Sequence, residues 1–285
     1  MNKYYLIFIA IAFLTQTAPS LFAANITWYQ PDFPPYVILS GPEKEHGIDD
    51  QIVRFIIKTL PEDKHVFQKA NYKRILENLK NGKHGIITPL FKTKAREKYI
   101  HYSEVPSYLV LPNGLIYHKE LKEVYAPYIL DDGTLDLEAL CKSGKVEIGI
   151  NSGRSYFGII DRTIEEYKET DVFFMRSGIE HSGLIKMVAN KRLDAAFGFP
   201  VEIKYLGLND SLSFLPISKM DNLIPVYFGT SKSDFGTVLV DKINCLLAKK
   251  ETLDKFSQYY MDWLDKNMLV TYRKSIKDYY KSTLP

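Results

Sequence analysis

The sequence predicts an α/β protein of two similar lobes, the first interrupted by the second. Strand-like and helix-like periodicities alternate along the chain, one helix–strand unit recurs at a constant offset of 109 positions, and two extended stretches lie where a chain would cross out and back. Length agrees, since 285 residues at roughly 100–200 per domain suggest two domains. Hydrophobic residues at 46% and charged residues at 25% exclude disorder, collagen-like repeats and a disulfide-stapled miniprotein. A formal charge of +3 with the signs interspersed falls far short of the cationic face of a nucleic-acid binder, so no nucleic-acid partner is expected.

Residues 1–23 read as a secretory signal. Lys3 precedes an uncharged apolar run from Leu6 to Leu14, a polar stretch with Pro19 follows, and small residues place cleavage after Ala23. The alternative, a membrane anchor, needs about 20 apolar residues. No cysteine stands near the cleavage point to take a lipid. The expectation is a soluble, exported, periplasmic monomer. Export permits a disulfide between Cys141 and Cys245; small buried thiols are the simpler expectation.

The first lobe is expected over 24–115. Asn25 to Tyr29 reads as a strand and Gln30 to Tyr36 as a proline-pinned loop. Ile48, Ile52, Phe55, Ile56 and Leu60 mark a helix, with Asp49 and Asp50 at its N-terminus and Pro61 after it. His65 to Gln68 is the next strand. Tyr72, Ile75, Leu76 and Leu79 mark a second helix closed at Gly82, followed by the strand Gly85 to Thr88. Ile75–Phe91 and Leu184–Pro200 then share one pattern of helix, basic turn, short apolar strand and terminal Pro or Gly. Leu109–Glu120 looks like the crossing into a second lobe over 116–222. Asn222–Lys232 looks like the return, and 223–285 supplies C-terminal helices: a stripe of Val238, Leu239, Ile243, Leu246 and Leu247, then a helix capped by Thr252 bearing Leu253, Phe256, Tyr260 and Trp263. A chain that crosses twice builds a hinged cleft, a common place for small ligands.

Motifs for zinc proteases, serine hydrolases, phosphate-binding loops and CxxC redox sites are absent, and the six histidines have no pair at metal-ligand spacing. No metal, cofactor or catalytic residue is expected. The stretch Thr88–Tyr108 carries the sharper signal. It leaves a strand at the carboxyl end, where open α/β sheets bind ligands, and Thr93 and Arg96 offer a hydroxyl, backbone N–H groups at a helix start and a guanidinium fork, which together suit a carboxylate or other oxyanion. Lys92, Lys94, Arg96 and Lys98 could equally form a solvated basic face.

WYQPDFPPY, GIDDQIVRFIIKTL, NYKRILENLKNGKHGIITPLFKTKAREKYIHYSEVPSY and ANKRLDAAFG, in this order, resemble the type 2 periplasmic solute-binding proteins of the polar amino-acid class, family 3. The most specific piece is T-x-x-R followed by S-x-x-P, here Thr93, Arg96, Ser103 and Pro106. The resemblance spans essentially all of the chain after the signal. It implies a two-lobed Venus-flytrap fold with a discontinuous first lobe, a small-molecule solute, and delivery to the membrane permease of an ABC transporter. It also implies that Arg96 grips a ligand carboxylate. Members that bind α-amino acids carry an Asp shortly after the strand equivalent to LDAAF. Here the chain reads GFPVE, with Phe199 and Pro200 near that place and Glu202 the nearest acid, which puts a standard amino acid in doubt.

Other wall candidates follow from chemistry. Asp32 to Tyr36 leaves the first strand, and Trp28, Tyr29, Phe33 and Tyr36 offer faces either to a ligand or to the core. Asn151, Ser152, Gly153, Arg154 and Ser155 form either an anion cradle of backbone N–H groups or an ordinary turn. Arg74 points into the cleft or into water. Two rival functions remain open: a periplasmic dehydratase or lyase on the same scaffold, needing an acid such as Asp32, Glu202 or a histidine, and a ligand-sensing partner of a membrane receptor.

Overall fold

The computed structural model describes residues 25–177 and 182–283; the signal expected over 1–23 lies outside them. The chain runs β1 (Asn25–Gln30), α1 (Ile48–Thr59), β2 (Lys64–Lys69), α2 (Tyr72–Lys80), β3 (Ile86–Leu90), β4 (Ile100–Tyr102), β5 (Tyr108–Val110), β6 (Gly114–His118), α3 (Lys122–Tyr125), α4 (Leu137–Ser143), β7 (Ile148–Asn151), α5 (Gly158–Glu166), β8 (Phe173–Arg176), α6 (Gly183–Ala189), β9 (Ala195–Gly198), α7 (Pro200–Tyr205), β10 (Leu212–Pro216), β11 (Ile224–Ser231), α8 (Asp234–Leu247), α9 (Lys250–Met261) and α10 (Lys266–Thr283).

Two sheets organise these elements. One has the order β2-β1-β3-β11-β4, with β5 also on β11; the other has the order β10-β6-β9-β7-β8. Within them, β2-β1-β3-β11 and β8-β7-β9-β6 share one plan. In each, a central strand pairs in parallel with its two neighbours, and the second neighbour pairs antiparallel with a strand next to a crossover. The two-lobed α/β fold expected from the sequence is therefore present. β3 and β9 begin at Ile86 and Ala195, in step with the sequence offset. β6 opens at Gly114, two positions before the expected start of the second lobe.

Local chemistry accounts for the helix ends. At the start of α1, Asp50 Oδ2 accepts the N–H groups of Ile38 (2.9 Å) and Gly47 (3.1 Å), and Ile48, Ile52 and Ile56 turn inward. Asn71 caps α2 by accepting from Arg74 N at 2.9 Å, and Gly82 follows with φ +72°. Two expectations for the C-terminal helices fail. Val238 is exposed, because the inward stripe of α8 runs through Leu239, Val240, Ile243, Leu246 and Leu247. Thr252 lies buried inside α9, whose first turn starts at Lys250.

Each lobe has its own apolar core. α1, α2, α8 and α9 cover the first sheet, around Ile26, Ile75, Ile87, Phe228 and Phe256. In the second lobe, one cluster centres on Leu140, Ile148, Ile160 and Phe197, another on Ile116, Leu184 and Ile203. Trp28 and Tyr29 belong to the first core rather than the cleft wall, and Trp28 Nε1 donates to His65 Nδ1 at 3.1 Å. Cys141 is buried and Cys245 exposed, and both are free thiols, so the buried-thiol expectation holds for Cys141 alone. Among the described residues no helix is long and apolar enough to cross a membrane.

Candidate functional site

Parallel strands of an open α/β sheet aim the loops at their carboxyl ends into a common crevice. Here four such loops meet between the lobes. β1 is followed by Phe33 and Tyr36, β3 by Phe91 and Arg96, β7 by Arg154 and Ser155, and β9 by Phe199. All seven line one cavity of about 30 Å³, together with Tyr72, Pro89, Val110 and Val226. The cavity has room for about two water molecules.

The lobes touch across this cavity. Phe199, from the second lobe, is buried against rings of the first: 5.2 Å from Tyr36, 6.1 Å from Phe33 and 6.2 Å from Phe91, centroid to centroid. These contacts come from the shortness of the β9–α7 connection, in which Pro200 opens α7 directly after Phe199. Arg96 bridges the lobes with a fork of donors: Nη1 donates to Phe91 O in its own lobe (3.1 Å) and Nη2 to Gly153 O in the other (2.9 Å). Its backbone N–H donates to Thr93 Oγ1 at 3.3 Å, so Thr93 fixes the turn that presents the guanidinium.

Arg154 answers from the second lobe. Nη2 donates to Asn113 Oδ1 at 3.0 Å and approaches Glu202 Oε2 at 3.4 Å. Its guanidinium lies over the rings of Phe33, Tyr156 and Phe199. Glu202 is held by its own helix as well, because Oε2 accepts Phe199 N at 2.6 Å in the first turn of α7. Burial pushes the Glu202 carboxyl upward, against the pull of Arg154 and of that N–H. Around this pair, burial also drives the Tyr72 hydroxyl above its ordinary range.

The residues expected from sequence divide accordingly. Arg96, Phe33, Tyr36, Arg154, Ser155 and Phe199 line the cavity; Thr93, Gly153 and Glu202 support them. Asp32 is half-buried and does not line it. Arg74 points outward on the exposed face of α2, with an ion pair to Glu77 at 3.9 Å. Ser152 does not face the cavity, and the backbone cradle expected over 151–155 is largely spent. The N–H groups of Asn151, Ser152 and Arg154 donate to Tyr156 Oη, Arg176 O and Asn151 O. Ser155 Oγ donates to Asp161, which ties the turn to α5. Tyr72, Phe91 and Asn113 were missed. Tyr72 was legible as the aromatic opening of α2; Asn113 had no local signal.

The sequence pattern of the bacterial extracellular solute-binding proteins, family 3, matches residues 26–266. The chain belongs to that family. Solved structures agree on the fold of this solute-binding protein. A substrate-binding protein of an amino acid ABC transporter is 15% identical and superposes with a TM-score of 0.60 over 85% of this chain and 99% of its own. The periplasmic binding protein of an arginine third transport system from Legionella pneumophila is 16% identical, with a TM-score of 0.59 over 85% and 100%. A histidine kinase sensor domain similar to periplasmic binding proteins is 15% identical, with a TM-score of 0.61 over 85% and 96%. No curated protein sequence matches significantly. Among the described residues, no cluster of His, Cys, Asp or Glu could hold a metal ion.

Proposed function

We propose that this family 3 member is an exported, periplasmic solute-binding protein that captures a small carboxylate or similar anion between its lobes and presents it to the permease of an ABC-type transporter. The observation that carries the anion is the guanidinium of Arg96, which lines the cavity between the lobes, donates to backbone carbonyls and, among the described residues, forms no ion pair, whereas Arg154 is already paired with Glu202. Guanidinium forks match carboxylates in geometry and charge. They are the charged side chains lining that cavity and are poor proton donors near neutral pH, which favours binding over turnover. The dehydratase alternative needs an acid there, and Asp32 stands outside it while Glu202 is committed to Arg154 and Phe199 N.

Capture is coupled to movement. A solute larger than two waters enters only when the lobes part, and it favours the joined state through contacts drawn from both. The test is a panel of small carboxylates and inorganic anions screened by thermal shift, with calorimetry on the hits. Arg96→Ala is expected to weaken binding by about 2–5 kcal/mol, as for removal of one partner of a buried charge pair. Unchanged affinity in that variant refutes the assignment.

A further inference from the structure

The guanidinium of Arg154 is enclosed as a bound cation would be. Its side chain is 5% exposed. Its central carbon lies 4.5 Å from the Phe33 ring centroid in the first lobe, and 4.7 and 5.4 Å from those of Tyr156 and Phe199 in the second, within the range for cation–π attraction. An amide oxygen, Asn113 Oδ1, and a carboxylate oxygen, Glu202 Oε2, complete the ring of partners. These groups arrive from four separate segments of chain, Phe199 and Glu202 sharing one, and only Tyr156 is near Arg154 in sequence.

The fit is nevertheless incomplete. Glu202 is 1% exposed, and its Oε1 has no hydrogen-bond partner, although a buried carboxylate oxygen left without one is costly. Arg154 reaches the carboxylate with one nitrogen at 3.4 Å, whereas a guanidinium free to orient forms two parallel N–H···O bonds. The surroundings thus present more acceptor capacity than the tethered side chain uses.

We propose that Arg154 is a resident occupant of a guanidinium-recognising slot, and that by filling it from within the chain it determines specificity. The residue excludes solutes that carry a free guanidinium and leaves only the cavity beside Arg96 to a solute. That last clause rests on the anion reading above; the slot itself does not.

The experiment empties the slot. Arg154→Ala removes the guanidinium and keeps the rings, Asn113 and Glu202. Ethylguanidinium chloride at about 20 mM is the probe, and ethylammonium chloride at the same concentration controls for charge and salt. The variant is expected to melt roughly 3 °C higher in ethylguanidinium than in ethylammonium, the shift expected when a ligand is several-fold above its dissociation constant. The unaltered protein should melt identically in both. An equal response of the variant to the two cations overturns the proposal. Should Arg154→Ala fail to fold in either salt, Arg154→Ser takes its place in the same comparison, with the same shift supporting the proposal and an equal response to the two cations overturning it. Failure here leaves the anion panel and the Arg96→Ala result untouched, and an empty anion panel leaves this outcome untouched.

Discussion

Asp49 makes this protein's stability depend on pH in a direction opposite to that of most surface carboxylates. The side chain is fully buried in the first turn of α1. Thr88 Oγ1 donates to its Oδ1 and Tyr108 Oη to its Oδ2, each at 2.6 Å. Burial raises its pKa from 3.8 to about 7; the two hydroxyl bonds oppose the rise, and the neighbouring Asp50 charge adds to it. In the unfolded chain the group ionises near 3.8, so between about pH 4 and pH 7 the folded state holds a proton that the unfolded state has lost. Folding stability must fall as pH rises through that window and level off above it. At about 1.4 kcal/mol per pH unit, the loss is on the order of 4 kcal/mol. Burial raises Asp50 to about 6, so the wild-type slope contains both. Asp49→Asn imitates the protonated form and should remove the larger part. Urea unfolding at pH 4.5, 6 and 7.5 measures it: the wild type should lose stability across the series, and the variant should lose much less. Equal slopes in the two proteins, or a wild type that gains stability toward pH 7.5, would refute the reasoning.

Gly153 stands where the second lobe packs on α2 of the first, with φ +78° and a Cβ that would lie 2.8 Å from the backbone nitrogen of Lys73. Gly153→Ala should hold the lobes apart, seen as a larger radius of gyration in X-ray scattering and at least a tenfold loss of solute affinity; unchanged scattering would contradict this contact. Cys245 should react with a thiol reagent within minutes under native conditions and Cys141 only on unfolding, because burial pushes the Cys141 thiol up to about 12. Native labelling of both would show the α4 core to be open.

The lobes were legible because their repeat is written in local signals. Asn81 and Asn190 end α2 and α6, short basic turns follow, and the apolar strands β3 and β9 start at matching places. Arg96 was legible for the same reason, since Thr93 and the turn that aims it lie three residues away. Arg74 could have been placed outward from the spacing of Tyr72, Ile75 and Leu79, which leaves it on the opposite face of α2. Trp28 and Tyr29 could not be separated from Phe33 and Tyr36 by composition. A strand covered on both faces buries its aromatics wherever they fall, and only those past its carboxyl end reach the crevice. The surroundings of Arg154 were the least readable, because Phe33, Asn113 and Glu202 meet it only after both lobes and their crossover are in place.

The C-terminal helices fasten the outgoing crossover to the first lobe. Tyr260 Oη, on α9, accepts the N–H of Leu111, and Tyr272 Oη, on α10, donates to the carbonyl of Leu109. Both tyrosines are themselves buried in the first core, so they anchor the outgoing crossover to that lobe up to residue 111, three positions before β6 begins at Gly114. Pro112 and Asn113 are therefore the residues left between that anchorage and the second sheet. Asn113 also carries the amide oxygen that receives Arg154, and its Nδ2 donates to Tyr156 O, so the two-residue link between the lobes is itself one wall of the guanidinium's surroundings.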